Sequence, residues 1–217
     1  MNVEALTKIA QSKPVAQPAA NAQSPDLVAQ RAEQAMKLVA PFIEKHEGFR
    51  QKAYWDKIGK KWTVGHGHTF IRDAKTGKLR AVTKGDTMDA AASSALVRDR
   101  LRSNAASMYK DLQWTRTLSP GALAALYDIA YNAGPGVLSA AKSPSLNRKM
   151  NAPGADRESV AWSEVPTYKK SGGKVVKGLV NRRADAVKAF RNLHRRKSEL
   201  EVCHGLRTPE CKENHER

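Results

Sequence analysis

The chain is expected to fold as an α+β domain, mostly helical, with a small antiparallel hairpin lobe and a cleft between the two lobes. Three observations predict this. Apolar residues recur at three- and four-residue spacing in several long segments. One stretch, from Phe49 to His68, changes instead to alternation around a glycine-containing turn. A segment from Leu123 to Ala133 is apolar nearly all round, as a buried central helix would be.

Taken in order, residues 1–24 carry Ala, Gln, Pro and Asn around Pro14, Pro18 and Pro25 and read as a flexible leader. They hold no apolar run long enough for a signal peptide or a membrane span. Ser24-Pro25-Asp26 starts a helix with a weak stripe of Val28, Ala32, Ala35 and Val39, an extension spanning 25–40. Pro41 suits the first position of a second helix, with Phe42, Ile43 and His46 on its face and Gly48 just past its end. Glu47 therefore closes a helix. The negative end of the backbone dipole, with partial burial, is expected to push its pKa upward, as a general acid requires.

Two short strands follow, Phe49 to Tyr54 and Trp62 to His68, joined by a turn through Lys57-Ile58-Gly59-Lys60-Lys61. Asp56 falls at the turn end of the first, where water keeps a carboxylate ionised. On the second, alternation sets Trp62, Val64, His66 and His68 on one face and Thr63, Gly65 and Gly67 on the other. Glycine inside a strand marks close approach of a ligand or another backbone. Ala90, Ser94, Val97, Leu101, Ala105, Met108 and Leu112 then predict a long amphipathic helix joining the lobes. Ser119-Pro120 starts the central helix, interrupted by Asp128 and Asn132 and stopped by Gly134-Pro135-Gly136. A short helix over Asp156–Trp162, a turn at Ser171-Gly172-Gly173 and a helix from Asn181 to about His194 complete a folded domain spanning 41–194, with a charged tail over 195–217. On that last helix Arg182 shares a face with Ala186, Ala189 and Leu193, and Arg183 with Val187, Phe190 and His194. An arginine turned inward needs a carboxylate partner.

Glu47, Asp56 and Thr63 are the one place where two carboxylates and a hydroxyl gather beside alternating glycines. Paired carboxylates across a cleft are the usual means of breaking a glycosidic bond. The competing reading is two ordinary surface carboxylates, since helix ends and turns are common places for acids.

The segment resembles the active-site region of phage-type lysozymes, the endolysins of glycoside hydrolase family 24. Glu47-Gly48, Asp56, Thr63 and Gly65-His66-Gly67-His68 carry the likeness. Leu126-Tyr127-Asp128-Ile129-Ala130-Tyr131-Asn132-Ala133-Gly134 is similar to the family's central helix, and Gly178-Leu179-Val180-Asn181-Arg182-Arg183-Ala184 to its late arginine-bearing helix. Six residues separate Asp56 from Thr63 where the family has five, which lengthens the turn.

The resemblance implies a lysozyme-like fold. It also implies hydrolysis of the β-1,4 bond between N-acetylmuramic acid and N-acetylglucosamine in peptidoglycan, without metal or cofactor. Glu47 would protonate the leaving oxygen while Asp56 and Thr63 place the attacking water. Gly67, His68 and Asn132 would meet the substrate, the alternative for Asn132 being a cap on a backbone carbonyl. One of Arg182 and Arg183 would pair with Glu47, Arg182 being favoured. A monomer is expected. So is accumulation in the host cytoplasm, with release to the wall in the periplasm depending on a separate membrane-permeabilising protein. A lytic transglycosylase acting on the same bond, and a cationic wall-disrupting protein without catalysis, are the alternatives.

The formal net charge of +17 sits in the folded body, where residues 41–190 hold 27 Lys and Arg against 13 Asp and Glu. Such a field attracts polyanions: wall polymers, an anionic outer-membrane surface, or nucleic acid. Nucleic acid is disfavoured as a partner because the clustered carboxylates would repel phosphate. Cys203 and Cys211 are read as thiols in a reducing compartment, the alternative being a short-loop disulfide closed after release into an oxidising space. With His204 and His215 they fit no common zinc spacing. His66 and His68 lack a third ligand nearby, and a packing or hydrogen-bonding role is expected.

Overall fold

The computed structural model describes residues 24–57 and 59–205, with side chains as far as Arg191. Residues 1–23 of the leader, Ile58 and the end of the tail lie outside the described residues, as do the side chain of Cys203 and all of Cys211.

Helix α1 spans Pro25–Glu47. Ser24 Oγ accepts the Leu27 amide at 3.3 Å, and Gly48, at φ +67°, ends the helix by donating its N–H to the Glu44 carbonyl at 3.0 Å. The expected break at Pro41 does not occur. Proline costs an interior helix about 3 kcal/mol through one lost hydrogen bond and a ring clash. Here Pro41 is exposed, while Val28, Ala29, Ala32, Ala35, Met36, Val39, Ala40 and Ile43 bury one continuous stripe on both sides of it. At about 0.8 kcal/mol per buried methylene, that stripe outweighs the penalty.

Strands β1 (Arg50–Asp56) and β2 (Lys61–Gly65) form an antiparallel ribbon in which Tyr54 faces Thr63, Trp55 faces Trp62 and Asp56 faces Lys61. Between Arg50, opposite Gly65, and Tyr54 the register slips. The surplus residues turn to another neighbour, the Ala53 amide donating to Asp86 O at 2.9 Å and the Met88 amide to Gln51 O at 2.9 Å. The second strand is shorter than predicted. It stops at Gly65, and Val64 and His68 exchange backbone hydrogen bonds at 2.9 and 2.8 Å across a tight reversal. Gly65 and Gly67, at φ +62° and +80°, make that reversal possible. A further hairpin, β3 (Phe70–Arg72) with β4 (Leu79–Ala81), was not foreseen, being only three residues a side. Val64, Val82, Met88 and Leu96 form the small core of this lobe, with Ala53, Trp62 and Ile71 against it.

Helix α2 (Ala90–Asp111) joins the lobes as the periodicity predicts; Asp89 caps it by accepting the Ala92 amide at 2.7 Å. Its Leu96 enters the small core, while Val97, Leu101, Ala105 and Met108 enter the large one. Helix α3 (Pro120–Ala133) runs through the middle of the large core, buried from Gly121 to Tyr131. Helices α4 (Pro144–Met150) and α5 (Arg157–Glu164) and the two-residue strands β5 (Lys170–Ser171) and β6 (Lys174–Val175) lead to α6 (Lys177–Gly205). That helix begins before Asn181 and continues past His194. It packs closely on α3, since a methyl at Gly121 would stand 2.6 Å from the Phe190 carbonyl oxygen. Among the described residues no helix is long and apolar enough to cross a membrane.

Candidate active site

The end of α1 delivers Glu47 to the junction of the lobes, where its side chain is 25% exposed. Arg182, on α6, donates from Nη1 to Glu47 Oε1 at 2.7 Å. The other carboxylate oxygen, Oε2, looks toward the 65–68 reversal, and a methyl on Gly67 would be 3.5 Å from it. No side chain at Gly67 fills the space in front of that oxygen.

Behind Glu47 lies a buried ionic chain. Arg182 donates from Nε to Asp128 Oδ1 at 2.9 Å, and its Nη2 stands 2.8 Å from the same oxygen. Arg183 donates from Nη1 to Asp128 Oδ2, from Nη2 to Asn132 Oδ1 at 3.2 Å and from Nε to the Tyr168 carbonyl at 3.2 Å. Asp128 is fully buried, and Arg182 and Arg183 are 7% and 2% exposed. Burial lowers the pKa of each guanidinium, but Asp128 and Glu47 together leave Arg182 raised. Arg183, repelled by Arg182 and without the second carboxylate, stays lowered. Asp128 thus faces both guanidiniums and Glu47 adds a second carboxylate at the surface end, which makes burial of Asp128 and the two arginines tolerable. A guanidinium only donates, so the Asn132 amide must turn its oxygen to Arg183 and leave its N–H groups for the exposed side.

Asp56 and Thr63 belong to the ribbon. In an antiparallel ladder directly opposed residues and their alternate neighbours share a face, which puts Tyr54, Asp56, Lys61 and Thr63 on one side and Trp55 and Trp62 on the other. The two tryptophans meet edge to face at 5.7 Å. Asp56 is half-buried and folds over its own turn; a methyl on Gly59 would come within 2.6 Å of Oδ2. Thr63 is more enclosed than expected, 4% exposed, with its hydroxyl 3.5 Å from the Lys61 carbonyl.

His68, for which substrate contact is expected, turns its ring to helix α2. His68 is 7% exposed, and its Nε2 lies 3.0 Å from Ser93 O and 3.1 Å from Ser93 Oγ. His66 meets the same serine, its amide at 2.9 Å and its Nδ1 at 2.8 Å from Oγ. Both rings anchor the reversal to α2, which is the hydrogen-bonding role expected of them. Burial holds His68 below the usual histidine pKa.

Of the residues predicted for the site, Glu47, Gly67, Asn132, Arg182 and Arg183 are brought together, while Asp56 and Thr63 share the ribbon face. Arg182, not Arg183, reaches Glu47. Asp128 and Ser93 were not singled out for the site. Asp128 was legible as the only charge in an apolar helix, four residues before Asn132 and thus on its face. Ser93 gave no comparable signal.

The model of the Phage lysozyme family matches residues 44–186, the stretch that holds every group just described. The chain belongs to the phage lysozyme family. A curated relative, the endolysin of Bacillus phage PZA, is 32% identical over 149 residues, which is 68% of this chain and 51% of that protein. The chain therefore spans about half the length of the curated relative it matches. Among solved structures, the active form of the P1 phage endolysin Lyz superposes with a TM-score of 0.54 at 18% identity, over 73% of this chain and 90% of that one. The muramidase domain of SpmX from Asticcacaulis excentricus gives 0.50 at 20% identity, over 70% and 92%. At these identities the structures speak to the fold, and the fold is that of a phage lysozyme, helical with small antiparallel strand pairs.

Proposed function

We propose that this phage lysozyme domain hydrolyses the β-1,4 bond between N-acetylmuramic acid and N-acetylglucosamine in peptidoglycan. The observation that carries the reading is the asymmetry at Glu47: Oε1 is held by Arg182 while Oε2 faces the space beside Gly67. A general acid needs that combination, one oxygen fixed for orientation and one free to carry the proton to the leaving oxygen. Asp56, on the ribbon face that also carries Thr63, is the second carboxylate. It activates a water on the opposite side of the sugar ring, with Thr63 helping to place it, so that the anomeric configuration inverts. Asn132 offers its free N–H groups to an acetamido carbonyl of the glycan.

The test is Glu47→Gln on purified sacculi, with circular dichroism to confirm the fold. Turbidity loss is expected to fall by at least about 10³-fold, the scale of removing an essential proton donor in concert with its partner carboxylate. Full lysis by the variant would rule for a cationic, non-catalytic wall disruptor. Mass spectrometry of the wild-type products is expected to show hydrated reducing ends. Anhydro sugars would make the protein a lytic transglycosylase.

A further inference from the structure

We infer that Asp128 is a positioning residue for the reaction, acting through Arg182 on Glu47; this rests on the reading of Glu47 as the acid. Arg182 has two edges able to grip a carboxylate. Asp128 holds one of them through Nε, which donates to Oδ1 at 2.9 Å, while Nη1 donates to Glu47 Oε1 at 2.7 Å. Arginine and carboxylate otherwise favour a two-pronged pairing in which both oxygens are engaged. By holding Nε, Asp128 fixes the orientation in which the guanidinium meets Glu47 through Nη1 at Oε1 and leaves Oε2 toward Gly67.

Three further features support a device of this kind. Asp128 sits at the middle of the most enclosed helix, fully buried, where a carboxylate is retained only if its partners are fixed. Its second oxygen is bound by Arg183, which is anchored in turn on the Tyr168 carbonyl and Asn132, so Asp128 cannot swing away with Arg182. The Nη2 group of Arg182, although close to Asp128 Oδ1, makes no well-directed hydrogen bond there and is buried. Without Asp128 the guanidinium would therefore gain by rotating toward Glu47 and taking both its oxygens.

The experiment compares Asp128→Asn, Arg182→Gln and the double variant, each shown to be folded by circular dichroism at a temperature below its own melting transition. Asp128→Asn is expected to lower kcat on solubilised glycan by about 30-fold or more while KM changes less than about threefold, the pattern of a group that acts only in the transition state. The alkaline limb of its pH–kcat profile should move to lower pH, because a doubly gripped Glu47 gives up its proton more readily. In the double variant kcat should fall no further than in Arg182→Gln alone. Additive losses, or an unmoved pH profile with only a lowered melting temperature, would reduce Asp128 to a structural residue and overturn the inference. Should Asp128→Asn fail to fold, the pH profile of Asp128→Glu, which keeps the charge, decides: a wild-type profile sustains the inference and a shifted one overturns it. An active Glu47→Gln would sink the reading of the acid itself. An inactive Glu47→Gln beside a fully active Asp128→Asn would sink this inference alone.

Discussion

Gly65 lies flush against Ser93: a methyl group on its α-carbon would stand 2.4 Å from the serine Oγ, and 3.0 Å from Met88 Sδ, at a backbone φ of +62°. The two residues are where the hairpin lobe meets the interlobe helix, and Ser93 is also the common partner of His66 and His68. Gly65→Ala is thus penalised twice, by a left-handed backbone and by a collision with fixed atoms. A loss of about 2–4 kcal/mol is expected, read from urea denaturation. A change below about 1 kcal/mol would mean that the lobe shifts freely on α2.

The buried His68 gives stability a pH dependence whose sign can be worked out. Its pKa is lowered from 6.5, first by burial and then by the charges of His66 and Arg100, against the opposing hydrogen bond to Ser93. The unfolded chain therefore takes up a proton at a pH where the folded chain does not. The contribution is whole above about pH 6.5 and is lost as pH falls through the folded value. His46, lowered mainly by burial and by Arg182, adds to the same window. His68→Gln should flatten part of the fall in unfolding free energy between pH 7.5 and 5, leaving the remainder to His46. An unchanged slope would place the titration elsewhere.

The periods and punctuation of the sequence carried much of this fold. The three-to-four spacing from Ala90 to Leu112 and the proline-led start at Ser119 mark helices that form as expected, the first burying Val97, Leu101, Ala105 and Met108 of its stripe but Ser93 and Leu96 in place of Ala90 and Ser94. Pro41 misled, since local propensity argued for a break while the apolar stripe on either side belongs to one core. Gly65 and Gly67 read as strand glycines open to a ligand. Only coordinates reveal that one abuts Ser93 and the other Glu47. Glu47 and Arg182 are 135 residues apart, and their pairing was legible only by family likeness. Asp128 carried a signal, a lone acid in an apolar helix, but its two partners lie on another element and no local pattern names them.

The charge of the folded body implies salt dependence. With 27 cationic side chains against 13 anionic between residues 41 and 190, the chain keeps a cationic excess that internal ion pairs cannot cancel, and its field reaches an anionic wall over roughly a Debye length, about 10 Å at 0.1 M salt. Lysis of sacculi should slow by about tenfold between 0.05 and 0.5 M salt, while turnover of a short neutral chito-oligosaccharide changes little. Equal slowing of both would assign the effect to the site rather than to the approach.

Gly67 tests whether the space before Glu47 is where the chemistry occurs. Its φ of +80° makes any side chain costly, yet the nearest atom to an added methyl is Glu47 Oε2 at 3.5 Å, an ordinary contact without collision. Gly67→Ala should therefore fold, at a cost of about 1–2 kcal/mol from backbone strain. A donor must come within about 2.6–3.2 Å of the oxygen it protonates, and a methyl standing before Oε2 denies that approach. Gly77 supplies the control, since at φ +67° it has nothing within 4 Å of an added methyl. Gly77→Ala carries similar strain and no obstruction. A fall in kcat of about 10²-fold is expected for Gly67→Ala, with Gly77→Ala near wild type, in a turbidity assay on sacculi. Equal activity in the two variants would show that the leaving oxygen reaches Glu47 by another route.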